Sequence, residues 1–90
     1  MHNWFINFTK EAERDLENLN SLVKQRVIEK IEWLENNASL VFHKGLSRDF
    51  KNCYKLRIGD WRAVYTLDEK LSMIVIIQIE HRSKVYKKRA

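Results

Sequence analysis

Lys55, Arg57 and Arg62 are the residues whose types and spacing point most directly to chemistry. They lie in Cys53-Tyr54-Lys55-Leu56-Arg57-Ile58-Gly59-Asp60-Trp61-Arg62-Ala63-Val64-Tyr65, a stretch that reads as a β-hairpin. Side chains alternate along a strand, so Tyr54, Leu56 and Ile58 share one face while Cys53, Lys55 and Arg57 share the other. Gly59-Asp60 supplies a two-residue turn, with Gly59 taking φ > 0. That turn sets Ile58 opposite Trp61, Arg57 opposite Arg62 and Lys55 opposite Val64. Like charges directly opposite each other cost a sheet roughly 0.2–1 kcal/mol. A phosphate between the two guanidinium groups would offset that cost, because their planar forks match phosphate oxygens. The plainer alternatives are a solvated strand face, or a salt bridge in which Glu80 holds Arg62 for structural reasons.

The distribution of charge supports an anionic partner. Residues 1–40 carry a net −2 and residues 41–90 a net +7, giving the whole chain +5. A basic half joined to a slightly acidic half suits a polyanion, of which nucleic acid is the first choice. Lys44, Arg48 and Lys51 lie in a basic loop without clear period just before the hairpin. The tail His81-Arg82-Ser83-Lys84-Val85-Tyr86-Lys87-Lys88-Arg89 holds five Lys/Arg and no acid, as a short helix or a coil. Lys44, Arg48, Lys51, Lys84, Lys87 and Lys88 are thus the candidate nucleic-acid-binding cations.

Composition excludes several classes of function. With 44% hydrophobic and 32% charged residues the chain is too apolar for a disordered one. Its longest apolar run, Met73 to Ile77, is far short of the roughly 18 residues of a membrane span. The first residues show no basic region followed by an apolar one, so no secretory signal is expected. The lone Cys53 fits a reducing cytoplasm. It is read as a small residue at a strand start. One cysteine and the scattered His2, His43 and His81 lack metal-ligand spacing, so neither a metal nor any other cofactor is expected.

The elements that position the cations follow from periodicity. Trp4 to Phe8 has the aromatic and β-branched bias of a short strand. Thr9 is an N-cap for a helix with Ala12, Leu16 and Leu19 on one face. Asn20-Ser21 interrupts it, and a second helix runs from about Leu22 to Glu35, with Val23, Val27, Ile31 and Leu34 turned to the core. Asp68-Glu69-Lys70 turns the chain into Ser72–Glu80, whose centre is apolar on both faces and therefore belongs to a central strand. The order predicts an α+β fold, β-α-α-β-β-β, an antiparallel sheet packed on a helical hairpin, within one domain spanning 1–90. Tyr54, Leu56, Ile58, Trp61, Ala63, Tyr65 and Leu67 line its packed face. Val64, beside the cations, predicts an exposed apolar strip that a protein partner would cover.

The hairpin from Tyr54 to Tyr65 and the later His81-Arg82-Ser83-Lys84-Val85-Tyr86 resemble the signature of the RelE family, and the likeness covers nearly the whole chain. The resemblance implies the toxin of a type II toxin–antitoxin pair, an endoribonuclease that cuts messenger RNA in the ribosomal A site without a metal. The ribose 2′-hydroxyl attacks the adjacent phosphate. By that resemblance Lys55 is the general base, and two neighbouring guanidinium groups favour the neutral amine a base needs. Arg57 and Arg62 hold the phosphate. Tyr86 matches a tyrosine that stacks on a base and takes part in the chemistry. Arg82 matches a second phosphate-binding arginine, and His81 resembles a histidine used elsewhere in the superfamily, an imidazole suited to general acid work. A shift of one residue exchanges the roles of His81 and Arg82. The implied partners are a cognate antitoxin, messenger RNA and the ribosome, with operator DNA contacted only through the antitoxin and no membrane. ParE-like toxins share the fold and act on DNA gyrase, which leaves gyrase inhibition as the rival activity. A non-catalytic fold that binds antitoxin and regulates transcription is the third reading.

Overall fold

A computed structural model describes residues 3–40, 43–45 and 53–83. It comprises β1 (Phe5–Phe8), α1 (Lys10–Glu17), α2 (Ser21–Asn37), β2 (Lys44–Gly45), β3 (Cys53–Ile58), β4 (Trp61–Asp68) and β5 (Met73–His81). Both helix starts are set by capping side chains. Thr9 Oγ accepts from the Ala12 N–H at 3.1 Å, and Asn20 Oδ1 accepts from the Val23 N–H at 2.9 Å. Each supplies an acceptor to a donor the helix leaves unpaired. No helix among the described residues is long and apolar enough to cross a membrane.

The sheet has five strands in the order β1-β5-β4-β3-β2. Two features differ from the sequence expectation of a four-stranded antiparallel sheet. Lys44–Gly45 forms a short edge strand against β3, a segment too brief for any alternation to reveal. And β1 runs parallel to β5, because the chain leaves β1 through the helical hairpin and reaches β5 only after the β3–β4 hairpin. As expected, β5 is a central strand, paired along one edge with β1 and along the other with β4; Ile74, Ile76 and Ile79 are buried in the core and Met73, Val75 and Ile77 are half-buried. Val27, Ile31 and Leu34 of α2 and Ala12 of α1 form the core with Ala63, Tyr65, Ile74, Ile76 and Ile79, and Tyr54, Leu56, Ile58, Trp61 and Leu67 pack against it.

A bulge in β5 decides what faces the cations. Tyr65 pairs with Ile76 but Val64 pairs with Gln78, so Ile77 is the extra residue. In an uninterrupted ladder Arg62 would face Ile79; the bulge shifts the register, sends Ile79 into the core and brings Glu80 opposite Arg62. The polar backbone groups around the bulge are met by side chains from the first helix and its cap. Thr9 Oγ donates to the Ile77 carbonyl at 3.2 Å, and the Ile79 N–H donates to Asp15 Oδ2 at 2.9 Å.

Candidate functional site

The hairpin register is the one the sequence predicts: Arg57 faces Arg62, Lys55 faces Val64 and Ile58 faces Trp61. Gly59, at φ 61°, takes the left-handed conformation that the turn needs. A Cβ built on it meets nothing within 4 Å, so the requirement is set by backbone conformation, not by space.

Two cross-strand rows make up the outer face. The first is Arg57 on β3, Arg62 on β4 and Glu80 on β5; the second is Lys44 on β2, Lys55 on β3, Val64 on β4 and Gln78 on β5. Lys55 and Arg57 are exposed and Arg62 is half-buried. Arg62 Nε lies 3.7 Å from Glu80 Oε2, and the two side chains are only 20% and 9% exposed. This is an ion pair beyond ordinary hydrogen-bond length. Arg62 Nε is buried and makes no hydrogen bond. Glu80 therefore lowers the repulsion between the two arginines and fixes the direction of one guanidinium edge. The row Arg57–Arg62–Glu80 keeps a net positive charge. Arg57 Nε donates to the Gly59 carbonyl at 3.4 Å, which lays its stem along the turn.

The exposed apolar strip expected at Val64 is absent. Val64 is 4% exposed. It lies between Lys55 and Gln78 in its cross-strand row, so its short side chain is screened by longer neighbours.

His81 and Arg82 are separated by the structure. The bulge leaves Glu80 on the face of Arg62, so His81, the next residue, turns to the opposite face and pairs with Trp61. Its half-buried ring meets the Trp61 ring edge-on, with centroids 5.2 Å apart at 86°. The Ser83 N–H donates to His81 Nδ1 at 3.3 Å, and the Ser83 hydroxyl lies 2.9 Å from the same nitrogen. The structure thus does not bring His81 together with the three hairpin cations. Arg82 is drawn to the turn instead: its N–H donates to the Asp60 carbonyl at 2.9 Å, and Nη1 lies 4.0 Å from Asp60 Oδ1. Both of those side chains are exposed, so the ion pair adds little and the backbone bond does the anchoring. Arg48, Lys51, Lys84, Tyr86, Lys87 and Lys88 lie outside the described residues, and of Lys44 only the backbone is described.

Sequence reasoning did not find the support beneath this face. His43 Nδ1 and the Tyr65 hydroxyl are 2.7 Å apart, and His43 Nε2 lies 3.0 Å from the Ala38 carbonyl. A carbonyl only accepts, so Nε2 carries a proton and donates, which leaves Nδ1 of a neutral ring to accept from Tyr65. The ring ties the end of α2 and strand β4 to the residue that precedes β2, and so holds Lys44 in register with Lys55. Its only trace in the sequence is a lone histidine in an aperiodic segment.

Comparison with known proteins gives consistent results. The profile of the ParE toxin of the type II toxin–antitoxin system parDE matches residues 6–86. Toxin RelG of Mycobacterium tuberculosis is 28% identical over 83 residues, which cover 92% of this chain and 95% of that protein. The crystal structure of the toxin–antitoxin complex RelBE2 from the same organism superposes with a TM-score of 0.79 at 28% identity, covering 90% of this chain and 100% of the matched one. The isolated RelE toxin of E. coli superposes with a TM-score of 0.73 over 96% of this chain and 94% of its own, at 22% identity, a likeness of fold alone.

Proposed function

The chain belongs to the ParE toxin family of type II toxin–antitoxin systems, within the RelE/ParE superfamily, and on that premise we propose that it is a ribosome-dependent messenger RNA endonuclease. The observation that carries this reading is the register of the hairpin. Arg57 and Arg62 are direct cross-strand partners, and Lys55 lies one row away on the same face.

Such a site suits transesterification by the ribose 2′-hydroxyl. The hydroxyl loses its proton to the Lys55 amine, its oxygen attacks the adjacent phosphorus, and the bond to the 5′-oxygen breaks. The products are a 2′,3′-cyclic phosphate and a 5′-hydroxyl end, and the proton that the leaving oxygen takes up balances the one given to Lys55. Charge on the pentacovalent phosphate is met by Arg57 and Arg62, donors held in place before reaction by the turn carbonyl and by Glu80. Arg82, anchored at Asp60, is assigned to the neighbouring phosphate and Tyr86, by the family resemblance, to stacking on a base, while water supplies the proton that the leaving 5′-oxygen takes up. His81 has no chemical role in this proposal, since its ring lies against Trp61 on the other face. A cognate antitoxin that covers the basic face is the proposed protein partner. The family match itself favours a second reading, inhibition of DNA gyrase, which needs none of the phosphate-binding residues.

Growth arrest by wild type and by Arg62→Ala, with messenger RNA 5′ ends mapped in the same cells, tests the proposal. Cuts at A-site codons that vanish in Arg62→Ala are expected, with a loss of roughly 100- to 1,000-fold in cleavage rate, as for the removal of one preorganised donor. Arrest without cuts, unchanged in Lys55→Ala and Arg62→Ala and accompanied by loss of DNA supercoiling, would establish the gyrase reading instead.

A further inference from the structure

We infer that the open groove between α2 and the tip of the β3–β4 hairpin is a second single-stranded RNA subsite, with a phosphate on Arg26 and Arg57 and a base on Trp33. The inference rests on the ribonuclease reading and extends its footprint to residues outside the hairpin. The groove encloses about 410 Å³ and is lined by Arg26, Glu29, Lys30 and Trp33 of α2 and by Arg57 and Gly59 of the hairpin. That size falls within the roughly 300–1,000 Å³ of small-ligand sites.

Arg26, Lys30 and Trp33 stand at i, i+4 and i+7, one face of the helix. It is not the core face, which consists of Val27, Ile31 and Leu34. Trp33 is 40% exposed, so part of its ring remains open to solvent. Lys30 Nζ sits 4.3 Å from the centroid of that ring, so a cation already marks its surface. Three cations line the groove against the single carboxylate of Glu29. Arg57 belongs to both regions: its position on β3 puts it in the row with Arg62, while its side chain, bonded to the Gly59 carbonyl, borders the groove. A strand of RNA crossing Lys55 and Arg57 therefore meets Arg26 and Trp33 next. Cations along a backbone path with an exposed aromatic ring beside them are how single strands are bound without base reading. An acidic peptide would use the cations and leave the indole idle, and for that reason RNA fits the groove better.

The test uses fluorescence anisotropy with a labelled 2′-O-methyl oligoribonucleotide, which lacks the attacking hydroxyl and is not cut. Trp33→Ala should weaken binding roughly 5- to 150-fold, the range that loss of one base–aromatic stack produces, and Trp33→Phe should retain most of the affinity. Arg26→Ala should weaken binding and lower the dependence on log salt by about one unit. Thermal melting of Trp33→Ala should match wild type, which separates loss of binding from loss of fold. Wild-type affinity in both Trp33→Ala and Arg26→Ala, with binding lost in Arg62→Ala, overturns the groove and leaves the hairpin site standing. Oligonucleotide binding through Trp33, in a protein that cuts no ribosome-bound message, leaves the groove standing and removes the nuclease reading. Competition by polyglutamate that depends on Arg26, together with RNA binding that ignores Trp33, overturns the inference in favour of an acidic protein partner.

Discussion

Arg62 Nε lies 3.7 Å from Glu80 Oε2, so the arginine that faces Arg57 across the hairpin has an anion on its other side. The row is ordered by charge: exposed cation, half-buried cation, buried anion. Glu80 accordingly does two jobs, stabilising a like-charge pair when no ligand is present and aiming the guanidinium that a phosphate would meet.

Replacing Glu80 by Gln keeps the shape and removes the charge. Breaking a fully buried ion pair costs about 3–5 kcal/mol. Here the pair is long and Arg62 still reaches solvent, so a loss of about 1–2 kcal/mol is expected, read as a lower urea midpoint. Inorganic phosphate should restore more stability to Glu80→Gln than to wild type, because Arg57 and Arg62 then face each other with no counter-charge. Equal stabilisation of the two proteins would show that Glu80 does not set the anion affinity of the row.

How much of this was legible in the sequence differs from element to element. The Gly59-Asp60 turn fixes the partners of Arg57 and Lys55, so the hairpin register follows from counting residues away from it. The bulge does not follow. Met73 to Ile77 is apolar at every position, and a run without alternation carries no signal of which residue is extra. For the same reason the sequence leaves His81 and Arg82 interchangeable: their faces depend on Ile77, four and five residues earlier. The direction of β1 was also hidden, since a short aromatic strand reads the same whichever way its neighbour runs. The His43–Tyr65 contact joins residues 22 apart through a side-chain bond, which no periodicity encodes.

His81 should prove structural. Its ring packs edge-on to Trp61, a contact of a kind worth about 0.5–1.5 kcal/mol beyond buried area. His81→Ala is expected to lower the unfolding free energy by about 1 kcal/mol and, on the proposed nuclease activity, to leave the cleavage rate on programmed ribosomes within a few-fold of wild type. A loss of cleavage comparable with that of Arg62→Ala, at unchanged stability, would return His81 to the chemistry.

The bulge depends on two side chains from outside its strand. Thr9 donates to the Ile77 carbonyl and also accepts from the Ala12 N–H as the cap of α1, while Asp15 accepts from the Ile79 N–H. Thr9→Ala removes a cap and a bulge partner together, for an expected cost of about 1–2 kcal/mol. Asp15→Ala leaves one partly buried N–H unsatisfied and should cost about 1–3 kcal/mol. Both should raise amide hydrogen exchange at Ile79 more than in β3, since the local opening is in β5. Uniform acceleration across the sheet would mean that these residues act on global stability alone.

Tyr65 should govern the alkaline limit of the fold. Burial, with a smaller contribution from Tyr54, pushes its hydroxyl from 10.0 up to about 12. The phenol ionises near pH 10 in the unfolded chain. The folded state therefore favours the neutral form, a contribution fully present below about pH 10 and lost as pH rises through about 12. A shift of this size corresponds to a stability loss on the order of 2–3 kcal/mol across that window. Tyr65→Phe deletes the group that ionises. At neutral pH it should cost about 1–2 kcal/mol by leaving His43 Nδ1 without its partner 2.7 Å away. Between about pH 10 and 12 the variant should then lose less stability than wild type, so that the two curves of urea midpoint against pH converge. Parallel curves would assign the alkaline transition to other groups, with the lysines first among them.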